Sequence, residues 1–425
     1  MSGVAGIELK FAAKRGITWG TAEACGANDG ILILPGSLKK SMEDKVDDSL
    51  GLFWPTDSDR GPVVATEGGR LAYLRYDSLD LLIASFMGAS GSPTYTTAVD
   101  SGTAESGTNN TLTDLDKNWT TNVHATNGRY VTILTGTGAG QTRKIVSNTA
   151  TILTVASNWS VNPGATSTYE ISGSIATHNY DLADNLDGIF VTIAMNEKIG
   201  IKEATSLKLS DMIIKGSTGG GPLEINFKGP AYNITWNSAI NTLNSFANVT
   251  YREQANRILY SQGVMRLNAQ GGSALDTADI IYPDEFELTS SRKLKGVYGA
   301  GGSFDNIDEP TNDGTPEVKL KLKFPRYTSA QPFLDWADST VRKKMDMTFT
   351  GALIGGSSYR KMVLSLPNLK YANVDCPEVR GILEMPIEYN CLSAASAPSG
   401  MTGITKPFRL ALTNTFGGDP LQAGN

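Results

Sequence analysis

Residues 318–324 read VKLKLKF, with apolar and lysine side chains in strict alternation. A period of two places every apolar side chain on one face of a strand and every lysine on the other. Such a segment suits a sheet with one buried and one wet face, because a slip of one residue would bury the lysines. The same period recurs nearby. Leu383, Met385, Ile387, Tyr389 and Cys391 share one face of a predicted strand, and LEINFK at 223–228 alternates again. Further strands are predicted at 347–353 and 362–366. Between them, Phe333, Trp336, Ala337 and Val341 recur at helical spacing, which predicts a helix over 331–343 with its apolar stripe on the sheet. Pro332 suits its first turn, and Arg342, Lys343 and Lys344 suit its last.

Composition narrows the function classes. Lys and Arg total 37 and Asp and Glu 43, a net charge of −6. That balance argues against gripping a phosphate backbone, which needs clustered cations. The 45 glycines, with many Thr, Ser and Asn, favour turns and strands. At 425 residues the chain has room for two or three domains. Cys25, Cys376 and Cys391 are far apart and form no CxxC pair, so neither a zinc site nor a disulfide framework is expected. No apolar run is long enough for a membrane helix and no secretory signal is visible, so synthesis in the cytosol is expected. Sequons at Asn118, Asn158, Asn233 and Asn248 then carry no glycan meaning.

Along the chain, residues 1–30 are weakly patterned and read as an N-terminal arm. A short strand at 31–34 ends at Pro35-Gly36, and the mixed charge run 39–48 reads as a solvated loop. Asp77-Ser78 followed by Leu79, Leu82, Ile83 and Phe86, then Gly88, predicts a capped short helix. Residues 101–172 change composition to Thr, Gly, Asn and Ser. Short strands are predicted there at 130–134, 143–146, 152–155 and 168–171, and the tripeptides Asn118-Trp119-Thr120 and Asn158-Trp159-Ser160 echo each other. This reads as a small all-β module inserted in a host domain whose strands resume at 189–195. The order strand, Gly-rich loop, alternating strand, helix then occurs once in each half, which suggests a duplicated domain. The expected organisation is an arm at 1–30, a first domain at 31–275 interrupted by 101–172, a second domain at 276–393 and a C-terminal arm at 394–425. The fold class is mainly β, two sandwich- or barrel-like domains each with a flanking helix.

Candidate chemistry is sparse. Gly136-Thr137-Gly138-Ala139-Gly140-Gln141-Thr142-Arg143-Lys144 resembles a phosphate cradle, but its lysine is misplaced and strands flank it, so a hairpin turn is expected. His124 and His178 have no metal-ligand or triad partners in sequence and read as surface histidines. The loop with Asp305, Asp308, Glu309 and Asp313 is oxygen-rich but lacks EF-hand spacing, and it reads as an acidic finger toward a neighbouring subunit. Trp19, Trp54, Trp236 and Trp336 read as core or interface anchors. No catalytic, cofactor-binding or metal-binding residue is predicted, and no cofactor.

The chain resembles the phage tail tube (major tail) proteins. The resemblance runs through GILILPGSLKKSMEDKVDD at 30–48, LDLLIASFMG at 79–88, ADNLDGIFVTIAMNEKIGIKEATSLKLSDMIIKG at 183–216, IDEPTNDGTPEVKLKLKFPRYTS at 307–329, KMDMTFTGALIGG, LSLPNLKYANV and MPIEYNCLSA. Within 101–172, GTGAGQTRKIVSNTATILTV is similar to a β module that recurs in phage tail and fibre proteins. The resemblance implies a virion structural protein without catalytic residues, assembled in the host cytoplasm from stacked rings. Sheets would continue from subunit to subunit around a bore through which DNA passes without specific binding. Its partners would be itself, a tape measure protein and tail tip or terminator proteins. Tubes in this family are built around six tube domains per ring, so two domains per chain imply a trimeric ring, with a hexamer as the alternative. The bore is expected to be acidic and poor in lysine. The module is expected outside, which suits a non-contractile tail. Two competing readings are a tail fibre or host-recognition protein and a tail-associated hydrolase.

Overall fold

The computed structural model describes residues 9–34, 38–46, 54, 58–89, 91, 93–95, 98–173, 175–219, 221–252, 256–298, 306–325, 329–355, 358–375, 377–379 and 382–421. In chain order the strands are β1 (Lys10–Arg15), β2 (Gly30–Ile31), β3 (Leu38–Val46), β4 (Ser58–Tyr73), β5 (Thr94–Tyr95), β6 (Ala98–Thr103), β7 (Ser106–Thr108), β8 (Thr111–Thr113), β9 (Tyr130–Thr135), β10 (Thr142–Asn148), β11 (Ile152–Val155) and β12 (Thr168–Ser172). They continue with β13 (Ala176–Asp181), β14 (Val191–Asn196), β15 (Ile201–Leu207), β16 (Asp211–Ser217), β17 (Glu224–Trp236), β18 (Gly263–Ala269), β19 (Ile280–Ile281), β20 (Glu285–Ser291), β21 (Leu294–Lys295), β22 (Thr311–Asn312) and β23 (Glu317–Phe324). The last are β24 (Lys343–Gly355), β25 (Ser358–Val374), β26 (Glu378–Val379), β27 (Ile382–Leu383), β28 (Met385–Cys391) and β29 (Arg409–Asn414). Helices are short: α1 (Asp80–Met87), α2 (Val123–Thr126), α3 (Leu243–Phe246) and α4 (Gln331–Ala337). The fold is mainly β and sandwich-like, with several antiparallel sheets.

One long antiparallel layer runs β3–β4–β17–β16–β20–β23–β28–β25–β24–β18–β19. A second layer, β2–β1–β14–β15, joins it where the end of β17 bends across and pairs with β15. The two layers and α1 share one core, from Phe11 and Val191 through Ile214 and Leu320 to Leu412. The long strands explain the bend. β17 pairs along one edge with β4, while β16 and β15 share its other edge end to end. β25 has the same arrangement, with β24 on one edge and β29 and β28 sharing the other.

Residues 98–172 stand apart. β6 to β12 form a seven-stranded sheet in the order β6-β12-β9-β10-β11-β8-β7, around a core of their own that includes Leu112, Ile133, Ile145, Trp159 and Ile171. The module meets the body at Tyr95 and Tyr130, whose rings lie 6.3 Å apart against Gly417. A Cβ at Gly417 would come within 2.7 Å of the Tyr130 ring, so only glycine permits this approach.

Several expectations are corrected here. Residues 9–30 of the expected N-terminal arm belong to the body: β1 pairs in register with β14 and buries Phe11, Ala12 and Ala13. The C-terminal arm is likewise sewn in, because β29 lies between β13 and β25 with Phe408, Leu410 and Leu412 buried. Residues 1–8 and 422–425 lie outside the described residues. The boundary at 275 would separate β18 from β24, its partner over all seven residues. Helix α4 ends at Ala337 rather than 343, since β24 already begins at Lys343. Its faces are also reversed: Phe333 and Leu334 are exposed, while Asp335 is buried against Lys343 at 2.7 Å. Burial alone would push the Asp335 carboxyl up, but Lys343, Gln331 and Tyr371 together hold it below the usual range. For α1, Gly88 caps the C-terminus at φ 73° as expected, but Asp77 caps nothing at the other end and instead pairs with Arg360 at 2.9 Å.

Because the module has its own core, replacing residues 101–172 by a short Gly/Ser linker should leave the body folded and cooperative. The loss should be about 1 kcal/mol, the scale of the broken Tyr95–Tyr130 contact. Denaturant unfolding followed by tryptophan fluorescence checks this, and a non-cooperative transition would show that the two cores are not independent.

Candidate functional site

The wet face of the long layer carries a regular pattern of charge. Register carries the alternation of β23 across its neighbours. Lys215 lies opposite Glu224 on β17 and Glu287 on β20; Glu287 lies opposite Lys321, and Lys321 opposite Glu388 on β28. The row Glu224–Lys215–Glu287–Lys321–Glu388 therefore alternates in sign across every strand boundary. One residue along on each strand, the row Ile225–Ile214–Leu288–Leu320–Tyr389 is buried. The same register thus sets the core and the charge pattern.

The lysines of this face find acids. Lys215 is 3.0 Å from Glu224, Lys319 3.2 Å from Glu388, and Lys321 4.0 Å from Glu287. Lys323 sits between Glu384 at 3.0 Å and Glu285 at 4.0 Å. The hydrogen bond with Glu384 raises the Lys323 ammonium above its usual range. At the far end Lys293, 2.6 Å from Glu317, holds that carboxyl below its usual range. A shallow groove of 520 Å³ runs over this lattice, lined by Lys215, Glu224, Glu285, Glu287, Lys321 and Lys323 among others. The surface is neither lysine-poor nor free to grip an anion; its cations are neutralised in place.

Other candidates resolve into structural roles. The 136–144 loop is a hairpin turn, with Gly136, Gly138 and Gly140 at φ 77°, 82° and 86°. Gln141 donates to the Gly138 and Val161 carbonyls at 3.0 and 2.8 Å, and Arg143 donates to the Asn158 carbonyl at 2.9 Å. The motif braces one loop against another. Neither histidine is at the surface. His124 is buried beside Trp119, its Nδ1 3.0 Å from Arg129, and burial together with Arg129 lowers its pKa. His178 lies fully buried between the rings of Tyr180 and Phe416. For His178 the covering ring, Phe416, is remote in sequence; Trp119 and Arg129 lie close to His124, but neither residue forms a metal-ligand or triad pattern that would single it out.

The expected acidic finger is tied to its own body. Glu309 accepts from buried Lys208 at 2.8 Å and from the Gly188 amide at 2.7 Å, and Trp19 donates to the Ile307 carbonyl at 3.1 Å. Asp313 pairs only loosely with Lys295 at 3.8 Å, and Asp305 lies outside the described residues. Trp19 packs on Phe190 and Tyr232, whereas Trp54, Trp236 and Trp336 are exposed. Cys25 and Cys391 are buried thiols whose pKa burial raises, and Cys376 lies outside the described residues. In the module Glu105, Asp114 and Asp116 bring carboxylate oxygens within 4.8 Å of one another. Asp114 already accepts from the Tyr169 hydroxyl at 2.5 Å and the Asp116 amide at 3.0 Å.

No protein-family model and no curated protein matches the chain. No helix among the described residues is long and apolar enough to cross a membrane.

The charge lattice generates a test. Lys321→Glu would set three carboxylates, at 287, 321 and 388, side by side. It should destabilise the fold by about 1 kcal/mol, the scale of like charges directly opposite in a sheet. The loss should shrink as salt is raised from roughly 0.05 to 0.5 M. Urea unfolding at the two salt concentrations measures both; a loss independent of salt would mean that packing, not charge, is at stake.

Proposed function

We propose that this chain is a self-assembling structural subunit, the tail tube protein of a phage, whose rings stack into a hollow tube that conducts DNA. The observation that carries the reading is the long antiparallel layer. It crosses both halves of the chain and ends in strands paired on one edge: among the described residues β3 pairs only with β4, and at the other end β19 covers just Met265 and Arg266 of β18. Two different edges left open among the described residues favour a heterologous contact, which closes into a ring when the rotation per subunit divides the circle. The charged face of that layer would then line the bore. Its paired lysines would offer little hold to passing phosphates.

The parallel surroundings of β17 and β25 support reading the body as two related halves. Three chains per ring follow from that, with six tube-like units around the bore. The partners expected from the resemblance are further copies of the chain, a tape measure protein and tail tip or terminator proteins; DNA would pass without specific contacts. No catalytic step is part of this reading, and the location would be the virion tail. The module at 98–172 projects its own sheet and suits the outside of such a tube.

Negative-stain microscopy of the concentrated protein is the test. Hollow tubes are expected, and averaging along them should give threefold symmetry with six similar lobes per ring. Particles that remain single bodies at every concentration would overturn the assembly reading and favour a fibre or recognition protein. Six chains per ring would overturn the duplication while leaving the tube intact.

A further inference from the structure

A polar cavity of 430 Å³ lies between the module and the body. The body contributes Lys14, Asp29, Asp77 and Arg252, and the module contributes Tyr130 and Lys144. The acids are already engaged. Asp29 Oδ2 lies 3.4 Å from the Lys14 ammonium and accepts from the Gly26 amide at 2.7 Å. Asp77 Oδ2 accepts from Arg360 at 2.9 Å, and its Oδ1 accepts from the Thr415 hydroxyl at 3.3 Å. The cations Lys144 and Arg252 are different: neither is paired with a carboxylate among the described residues.

Arg252 is held against an aromatic ring. Its guanidinium carbon stands 4.1 Å over the Phe416 ring, and the other rings of the stack are His178, 5.6 Å from Phe416, and Tyr180, 5.9 Å from His178. Phe416 is itself fixed, its amide donating to Asn414 at 3.0 Å and its carbonyl 2.6 Å from His178 Nε2. Stacking occupies the flat face of a guanidinium and leaves its N–H edge, the part that matches a planar or tetrahedral oxyanion. An oriented arginine and an exposed lysine lining one cavity are the elements of an anion site.

We propose that this cavity binds a small oxyanion of the phosphate type, held by Arg252 of the body and Lys144 of the module. Because the two cations come from separately folded parts, the anion bridges them and fixes the module against the body. The site rests on the junction alone and stands or falls independently of the tube reading.

The experiment is isothermal titration of the full-length chain with inorganic phosphate, at ionic strength held constant with chloride. Saturable binding is expected, with a rise in thermal midpoint that matched chloride does not give. Arg252→Gln should weaken phosphate binding at least about tenfold, the scale of one lost charge-assisted hydrogen bond. Lys144→Gln, a change at an exposed residue, should weaken it several-fold with the unliganded midpoint unchanged. Lys361→Gln, on exposed β25 surface, should bind as the parent does. Absence of saturable binding beyond the chloride control overturns the proposal, as does unaltered affinity in both the Arg252→Gln and Lys144→Gln variants.

Discussion

The constraint on which the structure depends is the shared register of β17, β16, β20, β23 and β28. Each strand has period two, and the register is the same at every boundary, so burial and charge pairing are decided together. The two terms differ in size. A fully buried Ile or Leu contributes about 1.5–3 kcal/mol, whereas an exposed ion pair contributes roughly 0–1 kcal/mol. The apolar row through Ile214, Leu288 and Leu320 therefore sets the register, and the charges on the other face refine it. A slip of one residue in β23 would place Lys319 and Lys321 in the core, a cost no surface pair could offset.

A second set of interactions holds the periphery onto that layer, and it is built from buried cations. Lys208 reaches Glu309 and the Pro310 carbonyl at 2.8 and 2.7 Å. Lys344 donates to the Gly272 and Ser399 carbonyls at 2.9 and 3.0 Å. Arg292 lies under α1 and donates to the Met87 carbonyl at 3.0 Å, and burial lowers its pKa to about 10. Arg360 fastens Asp77, whose carboxyl burial raises in spite of that partner. In each case a long side chain in a strand or next to one stitches down a loop or a helix end. Removing one partner would leave a charge or carbonyl buried and unsatisfied, which costs more than the pair itself contributes. Segments that look like arms in sequence are thereby part of the body.

What was legible in the sequence follows from the range of the physics involved. The alternating strands at 318–324 and 385–391 were readable because the pattern is local and no alternative structure suits it. Helix α1 was readable from its apolar run and Gly88. The α4 stripe misled: Phe333 and Trp336 have helical spacing, but Lys343 pairs with Asp335 and turns that face inward instead. The charge lattice was only half visible. The lysines of β23 stand out in the sequence, but their acids come from β20, from β28 and from Glu384 just before β28, and the pairing depends on a register that a single chain pattern does not contain. His178 and Arg252 were invisible for the same reason, since Phe416, the ring both of them stack on, lies far along the chain.

The lattice also bears on what this face does to a polyanion. A cation that contacts a phosphate contributes to binding chiefly by releasing counterions from the nucleic acid. A lysine already 3.0–4.0 Å from a carboxylate, as Lys215, Lys321 and Lys323 are, must give up that partner to do so. The freed glutamate then faces the same phosphate and repels it. Gain and loss oppose each other, so the pairing reduces the hold this face can offer a polyanion. An all-acidic face would repel a polyanion outright and draw a dense layer of counterions, while an apolar face would invite sheet-to-sheet aggregation. Alternating paired charges avoid both. They leave the face densely charged in detail and close to neutral on average.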